Sequence, residues 1–222
     1  MKHDNTQVTQ LTFNPFSTNM FVVADAGEAM LVDASAYNRS DVDEVLRLVD
    51  ELRVEVKRLV LTHAHIDHIF GCRALSQAFG LQWEIGARDL PLLRMGPVQA
   101  QLFGVQLDPP DDGVRYLGDG EELTVGSRSF KVRDVPGHSP GSIALVAADA
   151  GFVISGDVLF RGSIGRTDLW QADQAQLMRS IESVLLELPD ETVVYSGHGP
   201  NTTIGFERRT NPFLQGDTPV GR

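Results

Sequence analysis

The feature that most limits what this chain can fold into is an apolar strand, Arg58–Leu61, that runs straight into Thr62-His63-Ala64-His65-Ile66-Asp67-His68. Four side chains able to bind metal or protons fall within six positions. A strand places alternate residues on one face, so His63 and His65 can converge on a single point. The chain then turns, and Asp67 and His68 can face a second point close by. One strand end can thus serve two neighbouring metal ions.

Three more places share this local pattern. Lys131–Val135 runs into Pro136-Gly137-His138-Ser139-Pro140-Gly141, Phe152–Ser155 into Gly156-Asp157, and Val193–Ser196 into Gly197-His198-Gly199. In each, an apolar strand ends in a glycine turn that carries one His or Asp, and glycine allows a sharp bend and a close backbone approach. Open sheets place their binding sites at such strand ends. Taken singly, a His-x-His or a Gly-Asp pair is ordinary surface or turn chemistry. Together they offer seven candidate ligands: His63, His65, Asp67, His68, His138, Asp157 and His198. Five of the chain's six histidines are in this set, and His3, on an N-terminus expected to be loose, is the exception. A nitrogen-rich set with carboxylates suits zinc first, with iron or manganese as alternatives. Two such ions would acidify a water between them and supply a hydroxide for hydrolysis.

The order His63-x-His65-x-Asp67-His68, then His138, Asp157 and His198, resembles the metallo-β-lactamase superfamily over nearly the whole chain. That resemblance implies an α/β fold, the αββα sandwich with two mixed sheets packed between helix layers. It implies two divalent metal ions, the first on His63, His65 and His138 and the second on Asp67, His68 and His198. Asp157 would bridge them, and Asp67 and Asp157 would be the catalytic carboxylates beside the metal-bound hydroxide. Gly156-Asp157 through Gly165-Arg166-Thr167-Asp168, and Gly197-His198-Gly199-Pro200, are similar to the compact glyoxalase II-like hydrolases. The implied reaction is hydrolysis of a thioester such as S-lactoylglutathione. Arg166 is then a candidate substrate-binding cation, weighed against an arginine that merely pairs with Asp168. Arg161, Arg208 and Arg209 read as surface or structural. The larger relatives carry a C-terminal helical domain with further glutathione contacts. This chain is expected to lack it, which leaves room for a broader thioester range. The rival reading is a mononuclear-iron persulfide dioxygenase using His63, His138 and Asp157; the Gly-His-Gly-Pro turn favours the hydrolase. A scaffold that binds metal without turnover is the non-enzymatic alternative.

Composition enters where it excludes. A formal net charge of −11 disfavours RNA or DNA as partner. No apolar run approaches the ~18 residues that suggest a membrane span. The N-terminus lacks a basic end followed by an apolar run, so the chain reads as cytoplasmic. One cysteine precludes an internal disulfide framework, and Cys72 sits on the apolar stripe of its helix. The expected partner is a small-molecule thioester, and sequence leaves the oligomeric state open.

The remaining pattern supports one domain over 1–222. Strands are expected at Val8–Phe13, Met20–Ala24, Ala29–Val32, Gln82–Ile85, Glu122–Val125, Ser129–Val135, Ser142–Val146, Phe152–Ser155 and Thr192–Ser196. A helix capped by Ser40 follows the third strand. Ile69 to Phe79 is helical and closed by Gly80. Arg88–Phe103 is helical with a break at Gly96-Pro97, Gly104–Gly120 is a loop, and Asp173–Leu188 is a helix opened by a capping box. A short helix after the last strand and a disordered final six or so residues complete the expectation.

Overall fold

The structure, a computed structural model, describes residues 2, 3, 5–110 and 113–215. The expected disordered tail lies outside them. Seven strands form the first sheet in sequential order: β1 Lys2–His3, β2 Thr6–Phe13, β3 Thr18–Asp25, β4 Glu28–Val32, β5 Glu55–Val60, β6 Trp83–Gly86 and β7 Val114–Leu117. The second sheet draws on β8 Glu122–Val125, β9 Arg128–Asp134, β10 Ile143–Ala147 and β11 Phe152–Gly156. After a small hairpin, β12 Leu159–Phe160 with β13 Ser163–Ile164, it adds β14 Val193–Ser196 and β15 Thr202–Thr203. Both sheets mix parallel and antiparallel pairs.

Alternation along the strands sorts side chains into three layers. On β3, Phe21 and Val23 face the second sheet, while Met20, Val22 and Ala24 face a helix layer. On β10, Ile143 and Leu145 join Phe21, Phe130, Phe152 and Tyr195 between the sheets, and Ala144 and Val146 point outward. The outer face of the first sheet is covered by α1 Arg39–Leu52 and α3 Cys72–Phe79, through Val45, Val49, Cys72 and Leu75. The outer face of the second is covered by α6 Gln174–Ser180, its π-helical continuation Ile181–Leu185, and α7 Ile204–Thr210. Short helices α2 Ile66–Ile69, α4 Leu90–Arg94 and α5 Gly96–Phe103 sit around one end of the sandwich. This is the αββα arrangement expected from sequence.

Several local expectations are corrected. Asn38, not Ser40, caps α1: its side chain accepts from the Asp41 backbone N–H at 3.1 Å, and Asp41 reciprocates on the Asn38 N–H. The reach from cap to third helical residue decides it, and Ser40 already lies in the first turn. Within Gly104–Gly120, Val114–Leu117 is a strand, parallel to β6 and fixed by Arg115 on the buried Glu84. Four residues with one buried apolar side chain leave too short a period to stand out from a loop. Asp173 caps α6 as expected, but the α-helix stops at Ser180 and continues as a wider π-helical turn that ends at Leu185, short of Leu188. The backbone of Lys2–His3 pairs with β2, so His3 is on a sheet edge and not a loose end. Among the described residues no helix is long and apolar enough to cross a membrane.

Candidate metal centre

The C-terminal ends of β5, β9, β11 and β14 meet at one end of the sandwich. Ile143 N–H donates to the Thr62 carbonyl at 2.9 Å, and Asn19 N–H to the Gly197 carbonyl at 2.7 Å, so the two sheets are tied beside the cluster. All seven sequence candidates converge there. His63, His65 and His138 form one group and Asp67, His68 and His198 another, each with ligand atoms within 4.8 Å of one another. Asp157 lies between them: its carboxylate oxygens are 3.4 Å from His68 Nε2, 3.6 Å from His138 Nε2 and 3.3 Å from His198 Nε2. Close approach requires glycine at two turns. A Cβ on Gly197 would lie 2.0 Å from an Asp157 carboxylate oxygen, and one on Gly137, at φ +135°, would lie 2.2 Å from the Leu177 backbone nitrogen.

A set of hydrogen bonds decides which ring nitrogen of each histidine faces inward. His138 Nδ1 donates to the Arg166 carbonyl at 2.8 Å, and His198 Nδ1 to the carbonyls of Phe16 and Ser17 at 3.2 and 3.3 Å. His68 Nδ1 donates to Asp33 at 3.0 Å. Thr62 Oγ1 gives its single proton to Asp33, so it can only accept from His63 Nδ1, 3.1 Å away. In these four rings the Nε2 lone pair is left for the centre, as a metal-binding histidine requires. His65 is the exception, turning Nδ1 toward His138 Nε2 at 2.8 Å. Asp67 is held by Thr18 Oγ1 at 2.7 Å. Asp89, wholly buried, accepts from Ala64 N–H, Ser139 Oγ and Gly141 N–H, and so joins the His63–His65 turn to the His138 turn. Asp33 and Asp89 went unnoticed in the sequence, where neither carries a motif. Asp33's left-handed φ of +64° at the end of β4 is visible only in three dimensions.

The donor atoms fit a bound cation. His63 Nε2, His68 Nε2 and Asp157 Oδ1 are buried without a hydrogen bond, a costly state for polar atoms unless something else satisfies them. Burial pushes His63 well below the ordinary imidazole range, and burial with the facing His138 takes His65 down to about 3. Those rings stay neutral, as ligands must. Burial lowers His198, yet hydrogen bonds to Asp157 and Asp67 lift it to about 10; burial is also the largest single influence on His68, but Asp67, Asp33 and Asp157 together outweigh it and raise the ring well above the ordinary range. Against burial, His68, His198 and Thr18 bring Asp67 to about 2. Positive charge between these carboxylates is therefore favoured, and a divalent ion supplies it in place of protons.

The model of the metallo-beta-lactamase superfamily matches residues 13–198. The chain belongs to that superfamily. A hydroxyacylglutathione hydrolase, GloC, of Haemophilus influenzae is 36% identical over 192 residues, covering 86% of this chain and 89% of that protein. The crystal structure of TTHA1623 in a di-iron-bound form superposes with a TM-score of 0.85 at 37% identity, covering 93% of this chain and all of that one. That of the BLEG-1 B3 metallo-beta-lactamase gives 0.84 at 35%, covering 95% and 100%. The superfamily binds divalent metals, and the histidine cluster described above is where this member could hold them.

In this metallo-β-lactamase fold the cluster opens into a cavity of about 440 Å³. Arg166 reaches its wall, but both Nε and an Nη atom are 2.7 Å from the Asp168 carboxylate. Arg208 and Arg209 pair with Asp190, and Arg161 stacks on Phe206 at 5.3 Å. No described residue of the 104–120 segment lines the cavity; Val98, Leu102 and Phe103 of α5 do. Cys72 is buried, and burial raises its thiol well above the ordinary range, which removes it as a nucleophile.

Proposed function

We propose that this protein hydrolyses thioesters, with His63, His65 and His138 holding one divalent ion, Asp67, His68 and His198 a second, and Asp157 both. The observation that carries this reading is the four inward Nε2 lone pairs, each set by a bond at the opposite nitrogen. When bound, the ions supply Lewis acidity and a water ionised near neutral pH. Asp67 and Asp157 are the carboxylates facing that position; held ionised, they would orient such a water by accepting its hydrogen bond, while its proton leaves to solvent. In the balanced reaction water adds its oxygen to the acyl carbon and the carbon–sulfur bond breaks. The thiol takes one proton and the other is released with the carboxylate.

The leaving group favours a thioester over an amide or lactam. A thiol has a pKa of about 8.5, so thiolate departs without a proton donor. Outside the cluster, the polar side chains lining the cavity among the described residues are Gln99, Ser163 and Arg166, none of them a general acid. GloC, as a hydroxyacylglutathione hydrolase, belongs to the same class of activity, which supports the reading. The rival dioxygenase would use only His63, His138 and Asp157, leaving Asp67, His68 and His198 without a task. Zinc, iron and manganese are each to be loaded into metal-stripped protein. Thiol release from S-lactoylglutathione and from simple acyl thioesters is then followed beside oxygen uptake with glutathione persulfide. Metal-dependent thiol release that a chelator abolishes is expected; oxygen uptake without thiol release would replace this reading by the dioxygenase.

A further inference from the structure

Exposed hydrophobic side chains gather where the cavity opens. Six large ones are exposed among the described residues, and four of these, Val98, Leu102, Phe103 and Trp170, border this single cavity. Val98 is 57% exposed and Leu102 78%, an unfavourable placement on a helix whose other side already packs inward through Gln99 and Ala100. Scattered exposed apolar residues are ordinary, but a contiguous patch beside a reactive centre marks a binding surface. The patch continues inward through Leu92, Met95 and Phe160, the last with its ring 6.1 Å from that of His198. Apolar side chains therefore line the cavity from its mouth to the histidine cluster.

Polar recognition is scarce along the same path. Gln99 is fully engaged: its oxygen accepts from Ile66 N–H and its amide donates to the carbonyls of Ala64 and Leu92. Ser163 Oγ has only a long contact of 3.5 Å to the Ile164 carbonyl. Among the described residues Arg166 is the one arginine or lysine on the wall, and with Asp168 it forms a net-neutral pair. Glutathione brings two carboxylates and an ammonium, and a carboxylate arriving here would meet Asp168 as well as Arg166. An apolar group, by contrast, would cover surface now facing water. Soluble thiol carriers are polar, so the apolar part of a thioester is its acyl half.

We propose that the substrate's acyl group is bulky and apolar, a medium-length alkyl chain or an aromatic ring, seated against Val98, Leu102, Phe103 and Trp170. The polar thiol carrier projects through the open mouth and contributes little to selection. This inference rests on the thioester reading and narrows it to a substrate class. A cavity of about 440 Å³ falls within the usual range for small-molecule sites and accommodates such a group.

The test uses metal-loaded protein and a series of N-acetylcysteamine thioesters, acetyl, butanoyl, hexanoyl and octanoyl, beside S-lactoylglutathione. Expected is a kcat/KM that rises about fourfold per methylene up to hexanoyl, from the free energy of burying each one. S-lactoylglutathione should turn over more slowly than the hexanoyl ester, and Leu102→Ser should lower the hexanoyl-to-acetyl ratio about fivefold. Cleavage of every ester without dependence on chain length, or S-lactoylglutathione outrunning hexanoyl, overturns the apolar seat and leaves the thioester reading intact. Release of thiol from none of them removes the thioester reading instead. A binding measurement then still decides the seat. The chain has two tryptophans, so a Trp83→Phe background leaves Trp170 as the only fluorophore of its kind. An S-octyl thioether of N-acetylcysteamine should saturate its fluorescence change at least tenfold lower in concentration than the S-ethyl compound; equal values overturn the proposal. A Leu102→Ser variant that changes sedimentation but not the chain-length profile would also overturn it, assigning the patch to a second copy of this chain.

Discussion

Asp33 shows how much of the centre depends on a residue that never faces it. Its carboxylate takes the Thr62 backbone N–H at 2.7 Å, the Thr62 hydroxyl and His68 Nδ1, so it orients His68 directly and His63 through Thr62. Asp33→Ala should leave a folded protein, by circular dichroism, whose metal affinity is weakened roughly 10- to 100-fold, as is usual when the group behind a ligating histidine is lost. Metal content measured after dialysis against a graded chelator series would show it; unchanged affinity would mean that packing alone holds the rings. Arg166 yields the opposite expectation. Its guanidinium is engaged by Asp168 and it is the backbone carbonyl that holds His138, so Arg166→Ala should change KM for charged and neutral thioesters less than about twofold, an exposed ion pair being worth little. A selective rise for S-lactoylglutathione would restore a substrate-charge role. The seven inward groups were legible in sequence because histidine and aspartate next to glycine at strand ends have few other reasons to recur in step. Asp33 and Asp89 were not, since a lone buried aspartate has no local signature; its partners are decided by which turns meet in space.

At the scale of elements, the two sheets are joined at the far end of β3 by Asp25. Its carboxylate accepts from Thr6 Oγ1 at 2.9 Å and from Ser127 N–H and Oγ at 2.8 and 2.7 Å, linking the first sheet to the β8–β9 turn. Burial alone would raise its pKa, but those hydrogen bonds and the charge of Arg128 outweigh it and leave the group below the ordinary carboxylate range. A depressed folded value means stability present above the unfolded pKa and lost as pH falls through the folded one. Asp25→Ala should therefore cost about 2 kcal/mol near neutral pH, and the difference from the unmodified protein should shrink below about pH 4, read from urea unfolding at each pH. A pH-independent difference would assign the cost to lost packing. Element positions were largely readable, since alternating apolar residues mark strands whose two faces both find a layer. The misses are short or edge elements. β7 depends on Arg115 meeting Glu84, and β15 on pairing with β14, contacts between residues far apart in sequence.

Over the whole molecule, the αββα order was implied by the family resemblance of the ligand pattern and agrees with the run of strands and helices, while the apolar cavity was implied by neither. Val98, Leu102 and Phe103 read simply as part of a helix, and only the placing of α5 over the cluster makes them a wall. The buried carboxylates and histidines would also couple a bound metal to global stability. An ion present at 1,000 times its dissociation constant adds about 4 kcal/mol, which for a chain of this size raises Tm by roughly 8–16 °C. Calorimetry of metal-stripped and reloaded protein measures this, and an equal Tm would argue that the centre folds no better around an ion than around protons. The side chain of Asn19 donates to the Ser196 carbonyl, 177 residues further along the chain. At the ribosome's pace of about 5–20 residues per second, β3 must wait roughly 10–35 s for that partner to be made. The centre can therefore be completed only after His198 has been made. Until then a nascent chain has at most part of the candidate ligand set, so a cation that needs all seven groups would have to enter after that point.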